Sequence, residues 1–190
     1  MASFNVPENV SVEDFFKNHV PKQFREMTAG VDLSALAGKA FTLQFDVAGK
    51  KYCLNIVGGA DVQVVEGGVD KPILGLKMSE SDWRDAVTGK LEGVIDRFID
   101  PGQVADKQRY GTLLATNGMM TVELKKPDGS TMPIAMTFNG ASSPAVTIKL
   151  SLEDWVAMQK KEVDGQSLVM GGKMQFDGDM MFLMSLQQLI

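Results

Sequence analysis

Apolar residues recur at two different periods along the chain, and the switches between them mark the elements. Phe15, Phe16, His19, Val20, Phe24 and Met27 fall on one helical face behind Ser11-Val12-Glu13-Asp14. That tetrad is a capping-box pattern, in which a Ser oxygen and an acidic side chain satisfy free N–H groups at a helix start. Pro21 predicts a break or kink, with the helix restarting near it. Residues 1–10 are expected to form a loose leader. Phe41, Leu43 and Phe45 then alternate with Thr42 and Gln44, the period of a half-buried strand. Ala48-Gly49-Lys50, Gly58-Gly59 and Gly67-Gly68 supply turns before strands at 52–57, 62–65 and 73–78. The expectation is an antiparallel meander.

Ser79-Glu80-Ser81-Asp82 opens a helix through Trp83, Ala86 and Val87, and a further helix is predicted at 91–99, ended by Pro101-Gly102. After a polar link come strands at 119–124 and 132–138 around the turn Pro127-Asp128-Gly129-Ser130, then a strand at 145–150. Ser151-Leu152-Glu153-Asp154 caps a helix carrying Trp155 and Met158. A strand at 172–176, a turn at Asp177-Gly178 and an apolar helix at 180–189 complete the pattern.

Two of these segments are alike. Pro72, Lys77, Ser79, Asp82 and Trp83 are matched by Pro144, Lys149, Ser151, Asp154 and Trp155 at a constant offset, which also places Gly68 on Gly140. Each segment is an apolar strand running into a capped helix whose Trp packs back over the sheet. Convergence of two strand-to-helix junctions on good capping chemistry is the bland explanation, and duplication of a supersecondary unit is preferred. The expected organisation is a single interlocked body, with a partial first repeat over 11–100 and a second over 101–190 that adds a closing strand and helix.

With 44% hydrophobic and 23% charged residues, the chain can fill a core. The net charge of −5 and the scattering of Lys and Arg argue against nucleic acid and against strong adhesion to anionic membranes. The one cysteine, Cys53, cannot form an internal disulfide. With no apolar run of about 18 residues, no signal-peptide pattern and no Ser-Lys-Leu ending, the expectation is a cytoplasmic protein without stable membrane insertion. Catalysis is not expected. His19 is the only histidine and reads as a core or boundary residue, and Cys53 as a small buried hydrophobe. One of each cannot build a zinc site. Asp177 and Asp179 around Gly178, like Asp128-Gly129, read as hairpin chemistry, and no cofactor is called for.

Residues 146–155 (Val-Thr-Ile-Lys-Leu-Ser-Leu-Glu-Asp-Trp) and 172–180 (Gly-Lys-Met-Gln-Phe-Asp-Gly-Asp-Met) together resemble the lipid-transfer domain of the sterol carrier protein type-2 family. The resemblance covers about 100 residues on the C-terminal side and, more weakly, 11–90. It implies an α+β fold: a sterol-carrier-like, mostly antiparallel sheet covered by helices, here elaborated by a partial internal repeat. It also implies a tunnel between sheet and helices for lipids, fatty acyl chains or sterols. The chain departs from the family pattern where Lys160-Lys161-Glu162 replaces a Gly-Lys that Gly89-Lys90 keeps in the first unit. Of thirteen methionines, six crowd the last 33 residues, and methionine suits adaptable apolar surfaces. The candidate ligand-binding residues are Trp155, Met158, Met170, Met174, Phe176, Met180, Leu183 and Met184. On the terminal helix Met180, Leu183, Met184 and Gln187 share one face and Phe182, Leu186 and Leu189 a neighbouring one, predicting burial on more than one side. The alternative is an accessory or oligomerising interaction protein with a filled core, whose apolar face meets a partner subunit or a second copy.

Overall fold

The computed structural model describes residues 6–34, 37–58, 61–91, 94, 106–186 and 189. The fold is α+β: one mixed sheet of eight strands with helices. In chain order the elements are α1 (Val12–Asp14), a π-helical turn (Phe15–His19), α2 (Val20–Thr28), β1 (Ala40–Val47), β2 (Lys50–Val57), β3 (Asp61–Glu66), β4 (Leu74–Met78) and α3 (Glu80–Val87). Then follow α4 (Lys107–Ala115), β5 (Gly118–Lys125), β6 (Thr131–Phe138), β7 (Ala145–Ser151), α5 (Leu152–Gln159), α6 (Gly165–Met170), β8 (Gln175–Gly178) and α7 (Met180–Leu186).

The strand order is β3-β2-β1-β4-β6-β5-β7-β8. Only β1–β3 form the expected antiparallel meander, because β4 crosses over to lie parallel beside β1. The glycines at 67 and 68 announce a turn, but a turn alone does not say which edge the chain joins. In the second half β5 and β6 make the predicted hairpin, and β7 again lies parallel to the first strand of its pair. Antiparallel pairing of β4 with β6 joins the halves into one sheet.

Strand alternation sends one row of side chains per residue pair to the covered face. Tyr52, Phe45, Leu76, Met136, Met120 and Val146 form one such buried row, running across six strands and ending on Gly178. The neighbouring row of Leu54, Leu43, Leu74 and Phe138 ends on Gly118. The ring of Phe182 from α7 occupies the space that a side chain at Gly118 would fill. Cys53 is fully buried in β2, beside Gln44 and Val65 on the adjacent strands, and burial pushes its thiol pKa up.

Over the first half lies the N-terminal helix. Its Phe16 stacks on Tyr52 at 4.9 Å, and Phe15 meets Trp83 edge-on at 5.3 Å. The expected break near Pro21 is a π-helical turn: Val20 N–H reaches back five residues to Phe15 O, and α2 resumes with Pro21 in its first turn. Pro needs no hydrogen-bond partner there. Part of the expected leader meets the folded body. Val10 is buried, and the Arg84 guanidinium donates to the carbonyls of Glu8 and Val10 at 3.2 and 2.6 Å. The predicted helix at 91–99 falls mostly outside the described residues. Helix α4 occupies part of what reads as a polar link, started by Asp106 accepting from the N–H groups of Gln108 and Arg109.

The two strand-to-helix junctions carry the same contacts. Ser79 Oγ accepts from Asp82 N–H at 3.1 Å and donates to its carboxylate at 2.7 Å; Ser151 and Asp154 do so at 3.0 and 2.6 Å. Each carboxylate then takes a lysine, Lys126 at 2.9 Å and Lys173 at 3.2 Å. Helix α3 ends on Gly89 (φ 81°), and α5 ends at the equivalent position on Lys161, also left-handed at φ 60°. A lysine pays for that conformation where glycine does not. Lys161→Gly is therefore expected to stabilise the protein by about 0.5–1 kcal/mol in urea unfolding. A loss of stability would mean that the Lys161 side chain makes a compensating contact.

Burial separates the two ion pairs. The Lys126 and Asp82 side chains are 17% and 8% exposed, against 65% for Lys173 and 17% for Asp154. Removing one member of a shielded pair strands the other charge, whereas an exposed partner is simply rehydrated. Asp82→Ala is expected to cost about 3 kcal/mol and Asp154→Ala about 1 kcal/mol. Equal costs in denaturant titrations would rule out this account.

Candidate functional site

A cavity of about 910 Å3 lies at the outer end of the second half. Its floor is the end of a third row, Ile148 on β7 and Phe176 on β8, continued inward by Val122 and Ile134. One wall is Met158 from α5, with Met174 beside it; both are buried and converge over Gly165. The opposite wall is α7, which contributes Met180, Leu183 and Met184. Val163 and Val169 close one end, and the exposed Lys161, Glu162, Asp164 and Gln166 form a polar rim.

Each wall follows from local sequence. Asp164 caps α6 by accepting from Ser167 N–H at 2.8 Å, which sets Val169 against the cavity. Gly178, at φ 112°, ends β8 against Val146. Asp179 then caps α7, accepting from Phe182 N–H at 2.8 Å. Asp177-Gly178-Asp179 is thus a strand-to-helix corner and not the hairpin turn its composition suggests. Buried Phe182 and Leu186 anchor α7, while Met180, Met181 and Met184 are 55%, 77% and 55% exposed. The helix is buried on one side only, because it lies on the surface over a cavity and not between layers. Gln187 is outside the described residues.

Six of the eight candidate residues come together as lining: Met158, Met174, Phe176, Met180, Leu183 and Met184. Two do not. Trp155 is 1% exposed and packs in the core without lining the cavity, and Met170 is 81% exposed on the outer side of α6. Sequence reading missed Ile148, Val163 and Val169. Ile148 is indistinguishable by alternation from any core strand residue, and α6 is too short and polar to show a period. The Asp164 cap was the available signal.

A second cavity, about 720 Å3, opens on the other side of α7. Gln108, Thr112, Thr116, Asn117 and Ser185 bring polar groups to its lining, beside Gly111, Ala115 and the ring of Phe182.

Two helix-capping carboxyls near the cavity, Asp164 and Asp154, are held in the ionised form. The Ser167 backbone and hydroxyl hold the Asp164 carboxyl below its ordinary 3.8, and the Ser151 hydroxyl, then Lys173, do the same for Asp154. Stability from a lowered carboxyl pKa is present above the unfolded value and disappears as pH falls through the folded one. Both helix starts therefore keep their caps until pH drops below about 4. His19, part-exposed, sits 3.2 Å from Asp14, far from this site in the first half. Among the described residues no three His, Cys, Asp or Glu side chains cluster as metal ligands.

An apolar space between sheet and terminal helix, built by the second half alone, directs attention to that half. Residues 103–190 match the model of the SCP-2 sterol transfer family. The matched residues include the whole lining of the larger cavity. Solved structures similar to this chain include sterol carrier protein 2 from Yarrowia lipolytica in its apo form, 20% identical over 48% of this chain and 86% of that one, TM-score 0.36. The sterol carrier protein domain 2 of Helicoverpa armigera is 22% identical, covering 53% and 80%, TM-score 0.37. Sterol carrier protein 2 like 2 from Aedes aegypti is 13% identical over 90% and 93%, TM-score 0.23. No curated protein sequence matches the chain. Among the described residues, no helix is long and apolar enough to cross a membrane.

Proposed function

We propose that the protein binds an apolar ligand, a lipid, fatty acyl chain, sterol or similar molecule, in the larger cavity, and releases it without chemical change. The observation that carries this reading is the coincidence of that cavity with the segment matching the sterol transfer family. Its volume falls within the roughly 300–1,000 Å3 of small-molecule sites. The binding residues are Met158, Met174, Phe176, Met180, Leu183 and Met184, with Ile148 as floor; Trp155 supports the sheet beneath. Affinity comes from removing apolar area from water, about 0.8 kcal/mol per CH2. Specificity is loose, since thioethers and aliphatic groups fix little orientation. Duplication of the strand–helix unit belongs to the same reading, supported by the matching Ser-Asp-Lys contacts at both junctions. A wholly filled core, as an accessory protein would have, fits poorly with the open space.

Native mass spectrometry of freshly purified protein, followed by denaturing extraction, tests the reading. A reproducible bound mass extracting as an apolar molecule supports it. In displacement of a fluorescent fatty acid, each added pair of CH2 groups on a competing acid should tighten binding about tenfold until the cavity is full. Protein that carries nothing and ignores fatty-acid and sterol probes would remove the carrier function.

A further inference from the structure

Methionines stand at two depths around the cavity. Met158 and Met174 are 8% and 6% exposed on the inner wall, whereas Met180 and Met184 are each 55% exposed at its mouth. The mouth pair lies one helical turn apart on α7, so both thioethers face water and the cavity together. Met170 and Met181, at 81% and 77%, are more exposed still but do not line the cavity. The one thiol is no competitor for oxidants: Cys53 is fully buried and its ionisation is suppressed.

Resting on the carrier reading, we propose that Met180 and Met184 form a peroxide-sensitive gate whose oxidation weakens binding of the apolar ligand. The thioether sulfur attacks one peroxide oxygen, the O–O bond breaks, and an S–O bond forms. Hydrogen peroxide is reduced to water while sulfur loses two electrons and becomes a sulfoxide. The change is reversible by enzymes of the methionine sulfoxide reductase class. A sulfoxide is a strong dipole that needs a hydrogen-bond donor. Among its cavity neighbours only Lys161 and Gln166 on the rim carry side-chain donors, while Leu183, Val163, Val169, Ile148 and Phe176 offer none. A bound apolar ligand would cover the sulfoxide and strip its water, so the oxidised mouth disfavours the loaded state. Oxidation at Met170 or Met181 leaves the lining unchanged.

The test is a hydrogen peroxide titration of the full chain, with peptide mass mapping of each methionine and affinity for a pyrene-labelled fatty acid measured at each step. Sulfoxide should appear at Met170, Met180, Met181 and Met184 before Met158 and Met174, and affinity should fall at least tenfold in step with Met180 and Met184. The M170L/M181L variant should lose binding on treatment as the parent does. M180L/M184L should keep, after treatment, the binding it has before. Should that variant fold poorly, the parent alone decides: full sulfoxide at Met180 and Met184 with undiminished affinity overturns the gate. So does earlier oxidation of Met158 and Met174. Untreated protein that binds no probe would instead bring down the carrier reading itself, a different result from a binder indifferent to oxidation.

Discussion

Truncating either tryptophan to alanine should cost about 3–5 kcal/mol, the largest loss expected from any single side chain. Trp83 and Trp155 are each 1% exposed and stand at equivalent points of the two strand-to-helix junctions. Trp83 is held by Phe15, by Phe16 at 6.5 Å and by the Arg84 guanidinium 5.5 Å from its ring. Its removal opens a hole between the N-terminal helix and the sheet that neither rigid layer can close. Against a typical total stability of about 5–15 kcal/mol, such a loss approaches unfolding. Among the described residues neither buried indole N–H has a hydrogen-bond partner. Trp→Phe at either site removes that orphan donor while keeping most of the volume, so it should cost far less, about 1 kcal/mol. Urea unfolding followed by circular dichroism measures both series without relying on indole fluorescence. An alanine variant as stable as the phenylalanine one would show that packing at these junctions is not what matters.

The second large effect is expected at Gly178. Its φ of 112° is a conformation essentially restricted to glycine, and an added Cβ would collide with Ala145 O and approach Val146 Cα at 3.0 Å. Those are backbone atoms of the paired strand, which cannot step aside. Gly178→Ala should destabilise by about 3 kcal/mol or more, and what remains folded should bind a fatty-acid probe poorly. The reason is geometric, since Asp179 starts α7 at the next residue and α7 carries three of the lining side chains. Gly172→Ala is the control: it also has positive φ, 68°, but nothing lies within 4 Å of its Cβ. Its cost should stay near 1 kcal/mol with binding retained. Similar losses at both glycines would leave backbone conformation, not the collision, as the cause.

What could be read from the sequence was what depends on near neighbours. Alternation located seven of the eight strands closely, because each has one covered face, and Ser-x-x-Asp located α1, α3 and α5 because the cap is a local bond. β8 was placed three residues early. The parallel position of β4 was invisible: Leu74, Leu76 and Met78 alternate in the same way whichever strand they lie beside. Helix α4 was hidden by its polar composition, and α6 by its brevity. At the cavity, the methionine crowding on the last elements pointed to segments that line it, yet it could not separate Met180, on the cavity side of its helix, from Met170, on the outside of its own. That distinction depends on how α6 and α7 are turned about their axes, which their caps and Phe182 decide.

Cys53 gives the first half a built-in clock. A thiol reagent added to native protein can reach this single, fully buried sulfur only when the structure around β2 opens. The methionines at the cavity mouth lie at the other end of the sheet and are reachable without any such opening. One chain therefore carries two chemically orthogonal reporters, a thiol timing the breathing of one half and thioethers sampling the surface of the other. Whether loading the cavity slows the distant thiol then becomes a measure of how stiffly eight strands transmit a change across the sheet.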